Sequence, residues 1–238
     1  IIIGAESSMM RIAPPSFLAA NTFFFIKTHI VSIQNIKKQL QIAGYAPVNQ
    51  VVSPGEYALR GNIIDIFPMG SDLPFRVEFF DDEIETIRLF DPDTQQSIHP
   101  VNEIRILPSK EFLNNQNNAD RFRSKWRNTL VGDPTKSILY KDAGTGIFGA
   151  GIEYYMPFLH ETTSSIFDYL SEKSEIFLVG DVADSLTKHY EEFSSRYRFL
   201  KHDSERPVLE PSKISLPNEE WFSLLKKFSV YSFNNKNN

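Results

Sequence analysis

Phe75-Arg76-Val77-Glu78-Phe79-Phe80-Asp81-Asp82-Glu83-Ile84-Glu85-Thr86-Ile87-Arg88-Leu89-Phe90 decides the fold class of this chain. In 75–80, strand alternation sends Phe75, Val77 and Phe79 to one side and Arg76, Glu78 and Phe80 to the other. Asp81-Asp82-Glu83 reads as a tight turn, since Asp supports compact backbone geometry, and 84–90 returns as a second strand. The same period of two extends outward in both directions. Residues 56–60 and 62–67 flank Gly61, Pro68-Met69-Gly70-Ser71-Asp72 is a turn cluster, Asp91-Pro92-Asp93 turns again, and 101–107 closes the series. Short strands joined by turns of a few residues predict an antiparallel meander. Upstream, Ser32 can cap a helix carrying Ile33, Ile36, Leu40 and Ala43 at helical spacing, which Gly44 ends with Pro47 just beyond. A helix over 32–43 packed on that meander gives an α+β class.

Pro108-Ser109-Lys110 and the Asn/Gln-rich stretch 114–118 mark a boundary. Beyond it Phe122, Trp126 and Leu130 have helical spacing, 164–170 reads as a short helix, 176–179 as a buried strand ended by Gly180-Asp181, and 182–197 as a charged helix. Strand alternating with helix predicts a small α/β unit. A last helical stretch carries Trp221, Leu224, Leu225 and Phe228, and 234–238 reads as a frayed end. The expected organisation is the end of a preceding domain over 1–20, a sheet module over 21–108, a second module over 109–217 and a tail over 218–238. The chain opens on Ile1-Ile2-Ile3-Gly4, like a strand entered midway, so it is expected to be a piece of a longer protein.

The 238 residues are 41% hydrophobic and 23% charged, ordinary globular proportions that argue against disorder. No apolar run approaches the roughly 18 residues of a membrane-spanning helix. The absence of cysteine excludes thiol catalysis and disulfides. The net charge of -5 argues against a generally basic nucleic-acid surface. Residues 56–112 are the acidic part, with twelve acids against five bases, of which four are Arg. The one local basic candidate, a helix with Arg121, Arg123, Lys125 and Arg127, reads as a solvated face.

Chemistry is sparse. Gly144-Thr145-Gly146 with Gly149 and Gly151 lacks the Lys-Ser/Thr of a phosphate loop, the five His are scattered without metal-ligand spacing, and no G-x-S-x-G elbow occurs. No catalytic residue, cofactor or metal is expected. Asp81, Asp82 and Glu83 read as a solvated hairpin turn, and Asp65, between Ile64 and Ile66, as a structural partner for an Arg. The informative feature is the polar face of the sheet. Arg76 and Glu78 share it with a large ring, Phe80, and Arg60 points the same way if neighbouring strands bring it beside Arg76. Arg and aromatic side chains dominate protein-binding hot spots, and Arg suits bidentate carboxylate pairing. The competing reading has both Arg paired with their own acids and Phe80 packed under the 32–43 helix.

The run Gly55-Glu56-Tyr57-Ala58-Leu59-Arg60-Gly61-Asn62-Ile63-Ile64-Asp65-Ile66-Phe67-Pro68 and the continuation Arg76-Val77-Glu78-Phe79-Phe80-Asp81-Asp82-Glu83-Ile84-Glu85 resemble the module shared by the excision nuclease subunit UvrB and the transcription-repair coupling factors. Ala46-Pro47-Val48-Asn49-Gln50-Val51, Phe67-Pro68-Met69-Gly70-Ser71, Phe122-Arg123-Ser124-Lys125-Trp126-Arg127 and Gly151-Ile152-Glu153-Tyr154-Tyr155-Met156-Pro157 are more similar to the coupling factors. The resemblance runs from about Ser16 to about Trp221. It implies a module that binds UvrA in transcription-coupled nucleotide excision repair in the cytoplasm, with Arg60, Arg76 and Phe80 as the contacting residues. Glu78, on the same face, joins that candidate set. It further implies that RNA-polymerase binding, DNA translocation and ATP hydrolysis belong to parts of the family not represented here, and that a chain without the family's C-terminal domain binds UvrA constitutively. The alternatives are a fragment of a UvrB-like subunit, or a remnant NTPase-like domain with nucleotide or DNA binding.

Overall fold

The computed structural model describes residues 1–203 and 205–233. In chain order the elements are α1 (Ala5–Ser8), α2 (Pro15–Asn21), β1 (Phe23–Ile26), α3 (Ile33–Ile42), β2 (Ala46–Pro47), β3 (Glu56–Arg60), β4 (Ile63–Ile66), β5 (Phe75–Phe80), β6 (Glu83–Phe90), β7 (Ser97–Val101) and β8 (Glu103–Ile106). There follow α4 (Gln116–Thr129), α5 (Ile138–Gly144), α6 (Met156–Leu159), β9 (Glu175–Val179), α7 (Val182–Leu200), α8 (Pro211–Ile214), α9 (Asn218–Leu225) and β10 (Ser229–Phe233). The architecture is α+β. Its residues fall into two units, one of Ser16–Asn115 and one combining Ile1–Pro15 with Gln116–Asn238. Among the described residues no helix is long and apolar enough to cross a membrane.

In the first unit, the period-two pattern becomes a six-stranded sheet in the order β2-β3-β4-β5-β6-β7. Every neighbouring pair is antiparallel except β2 with β3. Gly61, at φ 61°, supplies the left-handed residue in the turn from β3 to β4, and Asp81, at φ 52°, does so between β5 and β6. One face is apolar: Ile64, Ile66, Val77, Phe79, Ile84 and Ile87 are buried there in one cluster with Ile36 and Leu40 of α3. The Ser32 side chain accepts a hydrogen bond from the Asn35 amide at the start of α3. At its end the Tyr45 amide donates to the Leu40 carbonyl and the Gly44 amide to the Gln41 carbonyl, a double closure that requires the left-handed conformation of Gly44, φ 89°.

The last predicted strand is a correction. The sheet closes with β7, which ends at Val101, whereas β8 leaves it and pairs antiparallel with β1 as a separate two-stranded sheet. Burial explains the exchange. Phe25 of β1 and Ile104 and Ile106 of β8 complete the core under α3, a task that a continued β7 on the sheet edge could not perform.

In the second unit, β9 and β10 form a parallel pair. The expectation of a buried strand at 176–179 is corrected. Ile176 and Leu178 pack against the core of Met9, Phe167, Leu186, Leu216, Trp221 and Leu225, but Phe177 and Val179 face outward. Asp181 caps α7 by accepting from the Asp184 amide. The short helix expected at 164–170 is a 3-10 turn at Ile166–Tyr169, closed by a reciprocal Ser165–Asp168 cap. The Trp221 indole of α9 donates to the Ser8 hydroxyl. The frayed end expected at 234–238 lies outside the described residues.

The basic helix is a further correction, because its cations are not simply solvated. Arg127 donates to the Tyr140 hydroxyl at 2.8 Å, and Arg123 lies 5.0 Å from the centre of the same ring. Burial pushes the Tyr140 phenol up, but hydrogen bonds from Arg127 and Arg123 outweigh it and hold the phenol below its ordinary value. Arg121 pairs with Glu161, and Lys125 donates to the His160 carbonyl.

A side chain at position 44 would be strained by its backbone angle and would press on the aliphatic part of Lys110. Gly44→Ala is therefore expected to cost about 1–2 kcal/mol of stability, read as a lowered denaturation midpoint. An unchanged midpoint would refute the closure assigned to Gly44.

Candidate protein-binding face

The second face of the six-stranded sheet is built in two rows across the strands. One row runs Arg60, Ile63, Glu78, Thr86, and the other Ala58, Asp65, Arg76, Arg88, Pro100. Residues directly opposite one another stand on the same face within contact distance, so the register alone gathers these side chains. Arg60 and Arg76 are not adjacent, because β4 lies between their strands, and they meet instead at Asp65. The Asp65 carboxylate is 1% exposed. Arg76 grips it with both arms, Nε to Oδ1 at 2.7 Å and Nη2 to Oδ2 at 2.9 Å. Arg60 reaches the second oxygen at 3.5 Å, with half of its own side chain exposed. The hydrogen bonds to Asp65 raise the Arg76 pKa further above its ordinary value, so that cation is permanent.

Glu78 is held on the same face. Its Oε2 accepts from the Thr86 hydroxyl at 2.7 Å, and Oε1 lies 3.8 Å from Arg88. Phe80 is different. Its ring is 69% exposed, on the side of the sheet away from α3. A bulge in the β5–β6 pairing makes Glu85 an extra residue, so that Phe79 and Ile84 pair into the core while Phe80 lies opposite Glu83 on the outer face. Asn62 pins this point: its side chain donates to the Phe79 carbonyl at 2.7 Å, and its own carbonyl accepts from the Phe79 amide at 2.9 Å.

The face is covered at one end and open at the other. At the Arg76 end, Val51, Ala58, Phe67 and Phe90 form a small apolar cluster, and the guanidinium of Arg76 lies 4.9 Å from the centre of the Phe90 ring. Toward the Phe80 end the outer face carries Glu78, Thr86 and Glu83, the last directly opposite the ring. The sequence-predicted set is thus one surface in which Arg76 is mostly a strut, satisfied by Asp65, and Arg60 and Phe80 are available. Arg88 was missed, because strict alternation from the buried Ile84 puts it on the core side and only the bulge at Glu85 turns it outward. Asp81 and Asp82 make the hairpin turn beside the ring.

Residues 25–112 match the UvrB interaction domain. That match takes in 88 of the 238 residues. It is also 36% identical over 229 residues to the transcription-repair-coupling factor of Escherichia coli, with 96% of this chain and 20% of the relative covered. The coupling factor of Haemophilus influenzae is 37% identical over 238 residues, covering 98% of this chain and 20% of the relative. The UvrABC system protein B of Mycoplasma genitalium is 29% identical over 121 residues, covering 50% of this chain and 18% of the relative. The chain spans about a fifth of the length of the coupling factors it matches.

Removing one partner of a buried ion pair strands the other, which typically costs about 3–5 kcal/mol, whereas a half-exposed pair contributes under about 1 kcal/mol. Asp65→Ala is expected to lower stability by about 3 kcal/mol, and Arg60→Ala by less than about 1 kcal/mol, both read by chemical denaturation. Equal effects would contradict the division between the buried carboxylate and the half-exposed cation.

Proposed function

We propose that this chain recruits UvrA through the open end of the sheet face, as the UvrA-binding module of a coupling factor in transcription-coupled nucleotide excision repair. The observation that carries the reading is Phe80, a large ring left in solvent on the same sheet face as a half-exposed guanidinium, on a segment that matches the UvrB interaction domain. The function is docking, not chemistry. The ring fills an apolar recess in UvrA, Arg60 pairs with a UvrA carboxylate, and Arg76 and Glu78 keep the platform flat and charged. RNA polymerase and DNA are engaged by other parts of the full-length relatives, and the module acts in the cytoplasm where they meet.

Buried aromatic and Arg anchors commonly contribute 2 kcal/mol or more, which corresponds to roughly thirtyfold in affinity. Phe80→Ala and Arg60→Ala are expected to weaken UvrA binding by at least about tenfold in calorimetry or surface plasmon resonance, with denaturation midpoints close to that of the parent chain. Parent-like affinity in both variants would refute the reading.

A further inference from the structure

The docking surface does not stop at Phe80. Resting on the reading just given, we infer that it crosses β6 to Ile30, forming a row of two apolar anchors with a carboxylate between them. The UvrA face that fits it presents two apolar hollows separated by a cation.

The row is fixed by backbone. Residues 28–31 run beside the start of β6: the Thr28 amide donates to the Ile84 carbonyl at 2.8 Å, the Ile84 amide to the His29 carbonyl at 3.0 Å, and the Val31 amide to the Asp82 carbonyl at 2.7 Å. Ile30 is thereby bridged antiparallel to Glu83, and Glu83 is itself opposite Phe80 on the other side. Three residues in direct antiparallel register share one face, with about 5 Å per step, so Ile30 and Phe80 stand about 10 Å apart. Ile30 is 81% exposed, more than Phe80. Single exposed apolar residues are common and need no explanation. Here, however, two large ones are held in register on a pinned segment, and the segment is strained. Thr28, a β-branched residue, is at φ 71°, where such residues are genuine outliers that cluster at binding sites.

Charge fixes what lies opposite. The ion pairs of the described residues leave Glu83 out, and no Lys, Arg or His nitrogen among them lies within salt-bridge distance of its carboxylate. Asp81 and Asp82, next to it, are likewise exposed and outside those pairs. A partner covering Ile30 and Phe80 together must cover Glu83, and a carboxylate desolvated without a cation would oppose binding. The complement is therefore apolar, cationic, apolar along one line.

The test measures UvrA affinity for the parent chain and for Ile30→Ser, Glu83→Lys and Phe80→Ala, with a denaturation curve for each to show that the surface changes leave the fold intact. Ile30→Ser and Glu83→Lys are each expected to weaken binding about tenfold, the loss from Glu83→Lys shrinking as salt is raised. If Phe80→Ala weakens binding while either of the other two binds like the parent, the three-residue row is overturned and the docking reading stands. If Phe80→Ala binds like the parent, the row is overturned too, and if Arg60→Ala then also binds like the parent, the docking reading itself fails.

Discussion

A single buried carboxylate, Asp65, holds the sheet to its two faces. It sits between Ile64 and Ile66 on β4, both of which face the core. A one-residue slip of β4 against β5 would turn Asp65 inward and two isoleucines outward, so the pairing with Arg76 acts as a register pin. The net stability of such a pair is small, because desolvation offsets attraction, but its geometry admits few alternatives. Because Arg76 uses two of its nitrogens on Asp65, its guanidinium is held in place 4.9 Å from the centre of the Phe90 ring. Arg60, left with the longer contact, keeps its charge available.

From that pin the rest of the surface follows by subtraction. Helix α3 and the β1–β8 pair cover the apolar face of the sheet. Val51, Phe67 and Phe90 cover one end of the other face. What remains is the Phe80 end, where the bulge at Glu85 and the two hydrogen bonds of Asn62 set the direction of the ring. The uncovered end of the face lies within residues 25–112, the stretch that matches the UvrB interaction domain.

Features set by local chemistry were legible in the sequence. The ends of α3 are written in Ser32 and Gly44, and the faces of β5 in strict alternation. Strand partners were not legible, since alternation specifies which side is buried and not what lies alongside. That is why β8 was placed on the sheet instead of against β1. Long-range contacts failed for the same reason: the Arg123 and Arg127 cations read as solvated because their acceptor, Tyr140, lies on another helix. The candidate face was partly legible. Arg60, Arg76, Glu78 and Phe80 were singled out, but Asp65 as the shared anchor of two guanidiniums required the register, and Ile30 lies in a stretch with no periodicity to mark it.

The most direct test of the account is side-chain footprinting by hydroxyl radicals, with the chain alone and with saturating UvrA. Oxidation of Phe80 is predicted to fall severalfold in the complex, with Ile30 falling alongside it, while Phe177 and Phe199, also exposed in the free chain, stay as reactive as before. Unchanged labelling of Phe80 in a saturated complex would contradict the account.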